Sequence, residues 1–234
     1  EKFMRNLKNI LLSLIIAFST SSFSEVAEVY QWKAFPGKSM EMMESMLKAA
    51  EIHEKQGAKV AIDVHNVGST QLVNYVLRWD DSKSYAASKD IQASSDEWVE
   101  FWAEANQNPS GEMMASFSAN NLDQSRKASD FDGSYVYSVN VWKVETGKDM
   151  ELIQRFMSSK PILEKAGARV EIYQANWGAP GEYHYVLMFD SWSALEESFS
   201  KLGPGSEWAA YMQSRADDEI IAEQTAWFTG QTAN

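Results

Sequence analysis

Histidine has the widest chemical use of any side chain in this sequence, because its pKa lies near neutrality. The chain of 234 residues contains three, His53, His65 and His184, and it contains no cysteine. The missing cysteine excludes thiol catalysis and Cys-based zinc sites, and three dispersed histidines predict no metal site. The sequence also lacks a Gly-x-Ser-x-Gly elbow, a phosphate-binding Gly-rich loop and a His-Glu-x-x-His helix. His65 and His184 are therefore the candidate catalytic bases, whereas His53 is predicted to be a solvated helix residue.

Polar and aromatic side chains accompany these histidines on predicted strands. In the strand 60–66 the apolar residues Val60, Ile62 and Val64 alternate with Asp63 and His65, which places the last two on the opposite face. We expect that face to be the one without helices, and the same alternation elsewhere completes the candidate set. The predicted ligand-binding residues are Tyr30, Trp32, Asp63, Asn74, Arg78, Asn140, Trp142, Tyr173 and Met188.

The elements that position these residues occur twice. Trp32-Lys33 recurs as Trp142-Lys143, and Gly57-Ala58 recurs as Gly167-Ala168, both at an offset of 110 residues. The offset holds without a gap over most of each half, so we infer a tandem duplication of one domain-sized unit. We assign residues 1–24 to a signal peptide, 25–119 to the first repeat, 120–133 to a polar linker and 134–234 to the second repeat.

Each repeat is predicted to have the element order β-α-β-β-α-β. The first helix of the first repeat carries Met40, Met43, Met46 and Leu47 at three- and four-residue spacing, which predicts one apolar face. Such a ferredoxin-like unit has both helices on one side of an antiparallel sheet, and the other side is bare. The duplication supplies a second sheet for that bare side. The sequence thus predicts an α+β fold in which two ferredoxin-like units form one pseudo-dimeric α/β barrel.

At this point the sequence resembles the dimeric α/β-barrel superfamily. The resemblance is carried by the strand exit Phe35-Pro36-Gly37-Lys38, by Gly57-Ala58, by the segment 75–82 with its Trp79-Asp80-Asp81-Ser82 end, and by Glu97-Trp98. That superfamily includes antibiotic-biosynthesis monooxygenases, EthD-like proteins and NIPSNAP proteins. Its members range from cofactor-free oxygenases to haem enzymes, so the resemblance implies a barrel and permits many functions. We expect no cofactor, although one histidine could bind haem axially, as in some relatives of this fold.

Each candidate also has a structural interpretation. Trp32 and Trp142 recur in both repeats and could fill the core, and a lone histidine on a strand is often only hydrogen-bonded. An arginine inside a barrel is costly without a carboxylate, so we predict that Arg78 pairs with Asp63 or Glu171.

The beginning of the sequence has the pattern of an exported protein. Basic residues precede an apolar run from Ile10 to Phe18, and small residues lead to a predicted cleavage after Ser24. We therefore expect a periplasmic or secreted protein without membrane insertion after cleavage. With 21 basic and 33 acidic residues, the formal net charge of −12 argues against nucleic-acid binding.

Three functions remain open at this stage. The first is binding of a small hydrophobic or aromatic molecule between the two sheets, by a monomeric pseudo-dimer or a weak homo-oligomer. The second is a cofactor-independent, monooxygenase-like enzyme that acts on an aromatic or quinol-like substrate, with His184 or His65 as the base. The third is a structural or interaction module.

Overall fold

The computed structural model describes residues 24–69 and 71–233, so the predicted signal peptide lies outside the described residues except for Ser24. The first half contains β1 (Val26–Ala34), α1 (Ser39–Lys55), β2 (Lys59–His65), β3 (Leu72–Trp79), α2 (Ser82–Ala93), α3 (Asp96–Gln107) and β4 (Gly111–Asn121). The second half contains β5 (Val136–Val144), α4 (Asp149–Ala166), β6 (Arg169–Ala175), β7 (Glu182–Phe189), α5 (Trp192–Ser200), α6 (Glu207–Ser214) and β8 (Ala222–Thr232).

Each half has two helices between its third and fourth strands, where the sequence predicted one. Serine caps explain the break, because the Ser95 side chain accepts a hydrogen bond from the Trp98 amide at the start of α3. Ser206 caps α6 in the same way through the Ala209 amide. A good N-cap inside a helical stretch starts a new helix with a new direction.

The eight strands form one closed antiparallel barrel in the order β1-β3-β2-β8-β5-β7-β6-β4. The α+β fold and the ferredoxin-like units predicted from the sequence are confirmed. Each half contributes a four-stranded sheet, and the two sheets meet at two seams, β2 with β8 and β4 with β6. Each seam contains three residue pairs, 63–65 with 230–232 and 119–121 with 173–175.

Two glycines allow the halves to approach closely near these seams. Gly68 and Gly178 both have positive φ, of 88° and 89°, a conformation that other residues rarely adopt. A Cβ atom at Gly68 would also collide with the Trp227 carbonyl oxygen, and one at Gly178 with the Ser116 carbonyl oxygen. Both hairpin loops therefore need glycine in order to lie against a strand of the other half.

The helices pack on the outside of the barrel and create a separate core in each half. On α1 the buried residues are Met42, Met46, Ala49, Ile52 and His53. The predicted apolar face of this helix was right for Met46, which is buried, and wrong for Met40 and Leu47, which are 72% and 46% exposed. The buried face of α1 is rotated about the helix axis relative to the predicted one, and it includes His53. Because His53 is only 5% exposed, the prediction of a solvated His53 is wrong.

The segment 120–133 does more than connect the halves. Its first two residues belong to β4, and residues Ala128–Phe131 form a 3-10 helix. The Phe131 ring is buried between two guanidinium groups, with Arg78 at 4.1 Å and Arg169 at 4.5 Å from its centroid. This segment therefore covers part of the barrel interior.

Candidate functional site

A cavity lies outside the barrel, between the first sheet and helices α1 and α3. Its volume is about 460 Å³, within the range of small-molecule sites. Most of the wall consists of aromatic and thioether side chains. It includes Tyr30, Trp32, Met46, His53, Tyr75 and Trp98. We call this space the first-half pocket.

His53 and Tyr75 form the polar centre of the pocket. The His53 Nδ1 atom lies 2.8 Å from the Tyr75 hydroxyl, and His53 Nε2 lies 2.7 Å from Gln92 Nε2. An amide nitrogen can only donate, so His53 Nε2 accepts and the proton of the neutral ring lies on Nδ1, which donates to Tyr75. Burial, reinforced by the positive charge of Lys89, lowers the pKa of His53 to about 4, so the ring is neutral at pH 7. The Tyr75 hydroxyl proton is then available to an acceptor in the pocket.

A second tyrosine, Tyr30, stands directly opposite Tyr75 in the β1–β3 pair. Its hydroxyl donates to Glu28 Oε2 at 2.8 Å, and burial followed by the negative charge of Glu28 raises the pKa of Tyr30. Glu28 also accepts hydrogen bonds from the Tyr85 hydroxyl at 2.9 Å and from Lys89 Nζ at 2.5 Å. The Tyr30 oxygen can therefore accept a hydrogen bond from a ligand, while Tyr75 donates one.

A bulge in β4 completes the wall. Gln31 pairs with Ala115 but Trp32 pairs with Met113, so Met114 is an extra residue in β4. The extra residue places Met113 on the same face as Trp32, at the pocket. Methionine side chains are flexible, so the wall that Met113 shares with Met42 and Met46 can adapt to ligands of different shape.

The second half shows how the same region packs when its residues are apolar. At the positions equivalent to Glu28, His53, Lys89 and Gln92 it has Ser138, Leu163, Phe199 and Leu202. Leu163 belongs to the buried core of that half, and Phe199 and Leu202 pack against it. Phe156, at the position of Met46, fills the remaining space next to Tyr185 at a centroid distance of 4.9 Å. The same fold is thus satisfied by apolar residues, so stability alone does not require the polar cluster of the first half.

The barrel interior contains a smaller cavity, of about 80 Å³. Six of the predicted site residues line it: Asp63, Asn74, Arg78, Tyr173, His184 and Met188. The alternation argument thus oriented β2, β3, β6 and β7 correctly. The cavity between the sheets has room for a few water molecules, which is too small for an aromatic ligand.

Arg78 pairs with a residue that the sequence argument did not consider. Its Nη1 atom lies 2.7 Å from Glu25 Oε1 and 2.7 Å from the Tyr173 hydroxyl. Glu171 instead pairs with Arg126 and Arg169, so the prediction of Asp63 or Glu171 as the bonded partner was wrong. Asp63 accepts hydrogen bonds from Thr232 and Tyr135, and burial raises its pKa to about 6.

His65 and His184 both stack on phenylalanines inside the barrel. The His65 ring lies 4.2 Å from Phe228 and its Nδ1 bonds to the Ser69 hydroxyl at 2.8 Å. His184 lies 4.6 Å from Phe117. Burial lowers the pKa of each histidine to about 4. Their catalytic roles remain predictions, and their surroundings leave little room for a substrate.

Four aromatic and polar residues face the opposite way from the prediction. Tyr30 and Trp32 face the helices of the first half and line the pocket there, while Trp142 packs into the helix-side core of the second half. Asn140 pairs directly with Tyr185 and thus shares its helix-side face. Val139 and Val141 occupy the inner face of this strand, in a cluster inside the barrel. Strand β5 has apolar residues on both faces, so alternation could not orient it.

Sequence reasoning missed His53, Glu28, Lys89 and Gln92. Two signals could have found them. His53 lies eleven residues after Met42 and seven after Met46, which is the spacing of one helix face. Each of the four also differs in chemistry from its counterpart in the other half.

Comparison with solved structures agrees with this architecture. A "putative monooxygenase" from Fusobacterium nucleatum subsp. nucleatum is 11% identical and superposes with a TM-score of 0.61, with 91% of this chain and 94% of that chain covered. A "putative chlorite dismutase" is 12% identical with a TM-score of 0.53, and 90% and 95% of the chains are covered. The chain has the dimeric α/β-barrel fold.

Another dimeric α/β-barrel neighbour is an "anthrone oxidase-like protein", at 13% identity and a TM-score of 0.54 over 92% of this chain and 93% of that chain. No family model matches the sequence, and the comparison with curated proteins finds no match. At these identities the likeness concerns the fold alone.

Haem, which one neighbour of this fold from Thermus thermophilus is described as binding, does not fit the first-half pocket. Both ring nitrogens of His53 already have partners, in Tyr75 and Gln92. Haem propionates need cationic partners, and no lysine or arginine occurs among the described residues that line the pocket. Within residues 24–69 and 71–233 we also find no cluster of three or more His, Asp or Glu suited to a metal, and no helix long and apolar enough to cross a bilayer.

Proposed function

We propose that the protein binds a small aromatic molecule that carries a hydroxyl or carbonyl oxygen, and that the site is the first-half pocket. The observation that carries this proposal is the difference between the halves. Buried polar groups cost stability unless they are hydrogen-bonded, and the second half builds the same fold without them. In the first half His53 and Gln92 instead line an open space, with the Glu28–Lys89 ion pair behind Tyr30.

The chemistry of the wall selects the ligand class. Indole and thioether groups favour flat apolar rings, and Tyr75 and Tyr30 offer one donor and one acceptor to a single oxygen. Glu112 lies at the wall and Glu28 lies behind Tyr30, so an anionic ligand is disfavoured. We therefore expect neutral phenols, naphthols and quinols to bind, and aromatic acids to bind weakly.

Ligand titration followed by tryptophan fluorescence tests the proposal, because Trp32, Trp98 and Trp102 line the pocket. We expect 1-naphthol to quench wild-type fluorescence and 1-naphthoate to do so at least tenfold less effectively. The variant Met46→Phe introduces the residue that fills this space in the second half and should abolish quenching. Equal quenching of wild type and Met46→Phe would refute the location, and no quenching by any neutral phenol would refute the function.

A monooxygenase-like activity is the second candidate function, favoured by the fold neighbours and by the paired tyrosines. A hydrogen-bond donor placed at the substrate oxygen stabilises the anion that reacts with O2. In the reaction we propose, an activated ring CH2 becomes C=O, one oxygen atom of O2 enters the product and the other leaves as water. No external reductant is needed, because the substrate supplies all four electrons.

Oxygen consumption with anthrone, corrected for the protein-free rate, tests this activity. We expect Tyr75→Phe to lose the enzymatic rate and His184→Asn to retain it, since His184 lies in the barrel interior. The reverse pattern would place the chemistry at the barrel cavity, and equal rates with and without protein would exclude the activity for this substrate.

Export remains part of the proposal. It is supported by the basic and apolar pattern of residues 1–24. N-terminal sequencing of the protein from a periplasmic fraction should start at Glu25, and a start within the first ten residues would contradict export.

A further inference from the structure

We propose that Glu28 is the final acceptor of the hydroxyl proton of a phenolic ligand, reached through Tyr30. This inference rests on the proposed function and adds a proton path to the same pocket. It begins from the two tyrosines, which are directly paired across β1 and β3 but have opposite hydrogen-bonding roles. Tyr75 has a proton to give, because His53 donates to its oxygen, whereas the proton of Tyr30 is already committed to Glu28.

The path consists of two proton shifts without oxidation or reduction. The ligand O–H bond breaks and its proton bonds to the Tyr30 oxygen, while the original Tyr30 proton moves to the Glu28 carboxylate, 2.8 Å away. The ligand becomes an oxyanion that accepts the Tyr75 hydrogen bond. Negative charge thus moves from Glu28 to the ligand, and the total charge of the buried site does not change.

Three hydrogen-bond donors and one further titratable group face Glu28. Tyr30 on the same strand and Tyr85 and Lys89 on α2 donate to it, and His53 on α1 is the other titratable group close enough to act on it. Glu28 itself is 8% exposed. The Lys89 side chain is 28% exposed, so it connects the buried Glu28 carboxylate with solvent, into which the proton can later be released.

The second half lacks every part of this path. Asn140 replaces Tyr30, Ser138 replaces Glu28 and Phe199 replaces Lys89. The Ser138 hydroxyl instead accepts a hydrogen bond from Trp227 Nε1 at 2.8 Å. A serine is therefore compatible with this strand position, and Glu28→Ser introduces the residue that the second half has there.

Absorbance spectra of a bound nitrophenol between pH 5 and 7 test the proposal, since nitrophenol and nitrophenolate differ in colour. In the wild type the proton stays inside the site, so the phenolate-to-phenol ratio of the bound probe should not depend on pH. In Glu28→Gln and Glu28→Ser the proton must go to solvent, so that ratio should rise tenfold per pH unit. Glu104→Gln, a surface carboxylate on α3 paired with Lys48, is the matched control and should behave as wild type.

Three outcomes would overturn the inference. The first is a tenfold rise per pH unit in the wild type, which would mean direct release to solvent. The second is a pH-independent ratio in both Glu28 variants, which would mean another internal acceptor. The third is that the nitrophenol fails to quench wild-type tryptophan fluorescence. This last result would refute the proposed function itself, whereas the first two would leave binding intact.

Discussion

Replacing His53 by leucine, the residue that the second half has at this position, separates the structural from the functional role of the polar cluster. Leu163 is buried in the core of its half, so the substitution suits the fold and should leave no large cavity. The change removes the partner of the Tyr75 hydroxyl, and Tyr75 is only 5% exposed. Gln92, which is half-buried, can turn to water instead.

The size of the effect follows from this single orphaned hydroxyl. An unpaired buried polar group costs about 1–3 kcal/mol, so His53→Leu should lower the free energy of unfolding by about that amount. The second half also shows the remedy, because there Ser159, at the position of Ala49, lies 2.9 Å from the Tyr185 hydroxyl. Adding Ala49→Ser to His53→Leu should therefore recover about 1 kcal/mol, the usual net contribution of one hydrogen bond.

Urea denaturation followed by tryptophan fluorescence measures both effects, in a double-mutant cycle of wild type, two single variants and the double variant. In the wild-type background Ala49→Ser should bring a smaller gain, since Tyr75 is already bonded to His53. A cycle with no coupling between positions 49 and 53 would refute the proposed bonding of Tyr75. The double variant should also fail to bind 1-naphthol as tightly as the wild type although it is folded, which a purely structural His53 would not explain.

Three further predictions concern the rest of the molecule. The free energy of unfolding should fall as pH drops from about 6.5 to 4, because all three histidines have a folded pKa of about 4 and the unfolded chain alone takes up protons in that window. The free energy of unfolding should change by at most about 1.4 kcal/mol per pH unit for each histidine. Asp63 reduces this slope, because its pKa of about 6 makes the folded chain bind one proton more in the same window. A free energy of unfolding that does not change with pH in urea denaturation would contradict the prediction. Arg78→Met introduces the residue that the second half has at this position. It should lower the free energy of unfolding by about 3–5 kcal/mol, because it leaves the Glu25 carboxylate buried without its cationic partner. A loss below about 1 kcal/mol would show that Arg78 does not hold Glu25 as described. Lys55→Met, which breaks an exposed ion pair with Glu97, is the control for that variant and should change the free energy of unfolding far less than Arg78→Met does.

The fold could be predicted from the sequence because the same pattern of strand, helix and turn residues occurs in both halves. Glu54-Lys55 and Glu97-Trp98 recur at the same offset, and the structure gives a reason for part of this pattern. Lys55 pairs with Glu97 at 2.7 Å, and the equivalent Lys165 pairs with Glu207 at 2.6 Å. Recurrent residues therefore report on contacts that both halves use.

The site could not be predicted in the same way, because its residues do not recur. Orientation was correct for β2 and β3, where Asp63 and Arg78 lie inside the barrel, and wrong for β1 and β5, where the polar residues Glu28 and Asn140 lie on the helix-facing side. The cross-strand register decides such cases: Tyr30 must share a face with Tyr75 because the two are directly paired. That register depends on contacts between distant segments, which local alternation does not contain.

The two short seams also bear on how the chain folds. The β2–β8 seam joins residues 63–65 to residues 230–232, so it cannot form until residue 232 has been made. Bringing such distant segments together carries a loop-closure entropy cost and slows folding. The helices and hairpins of each half can form early, and closure of the barrel is then the late event. Until that moment the inner faces of both sheets remain open to water and to other chains, which is the period when this protein is most prone to aggregate.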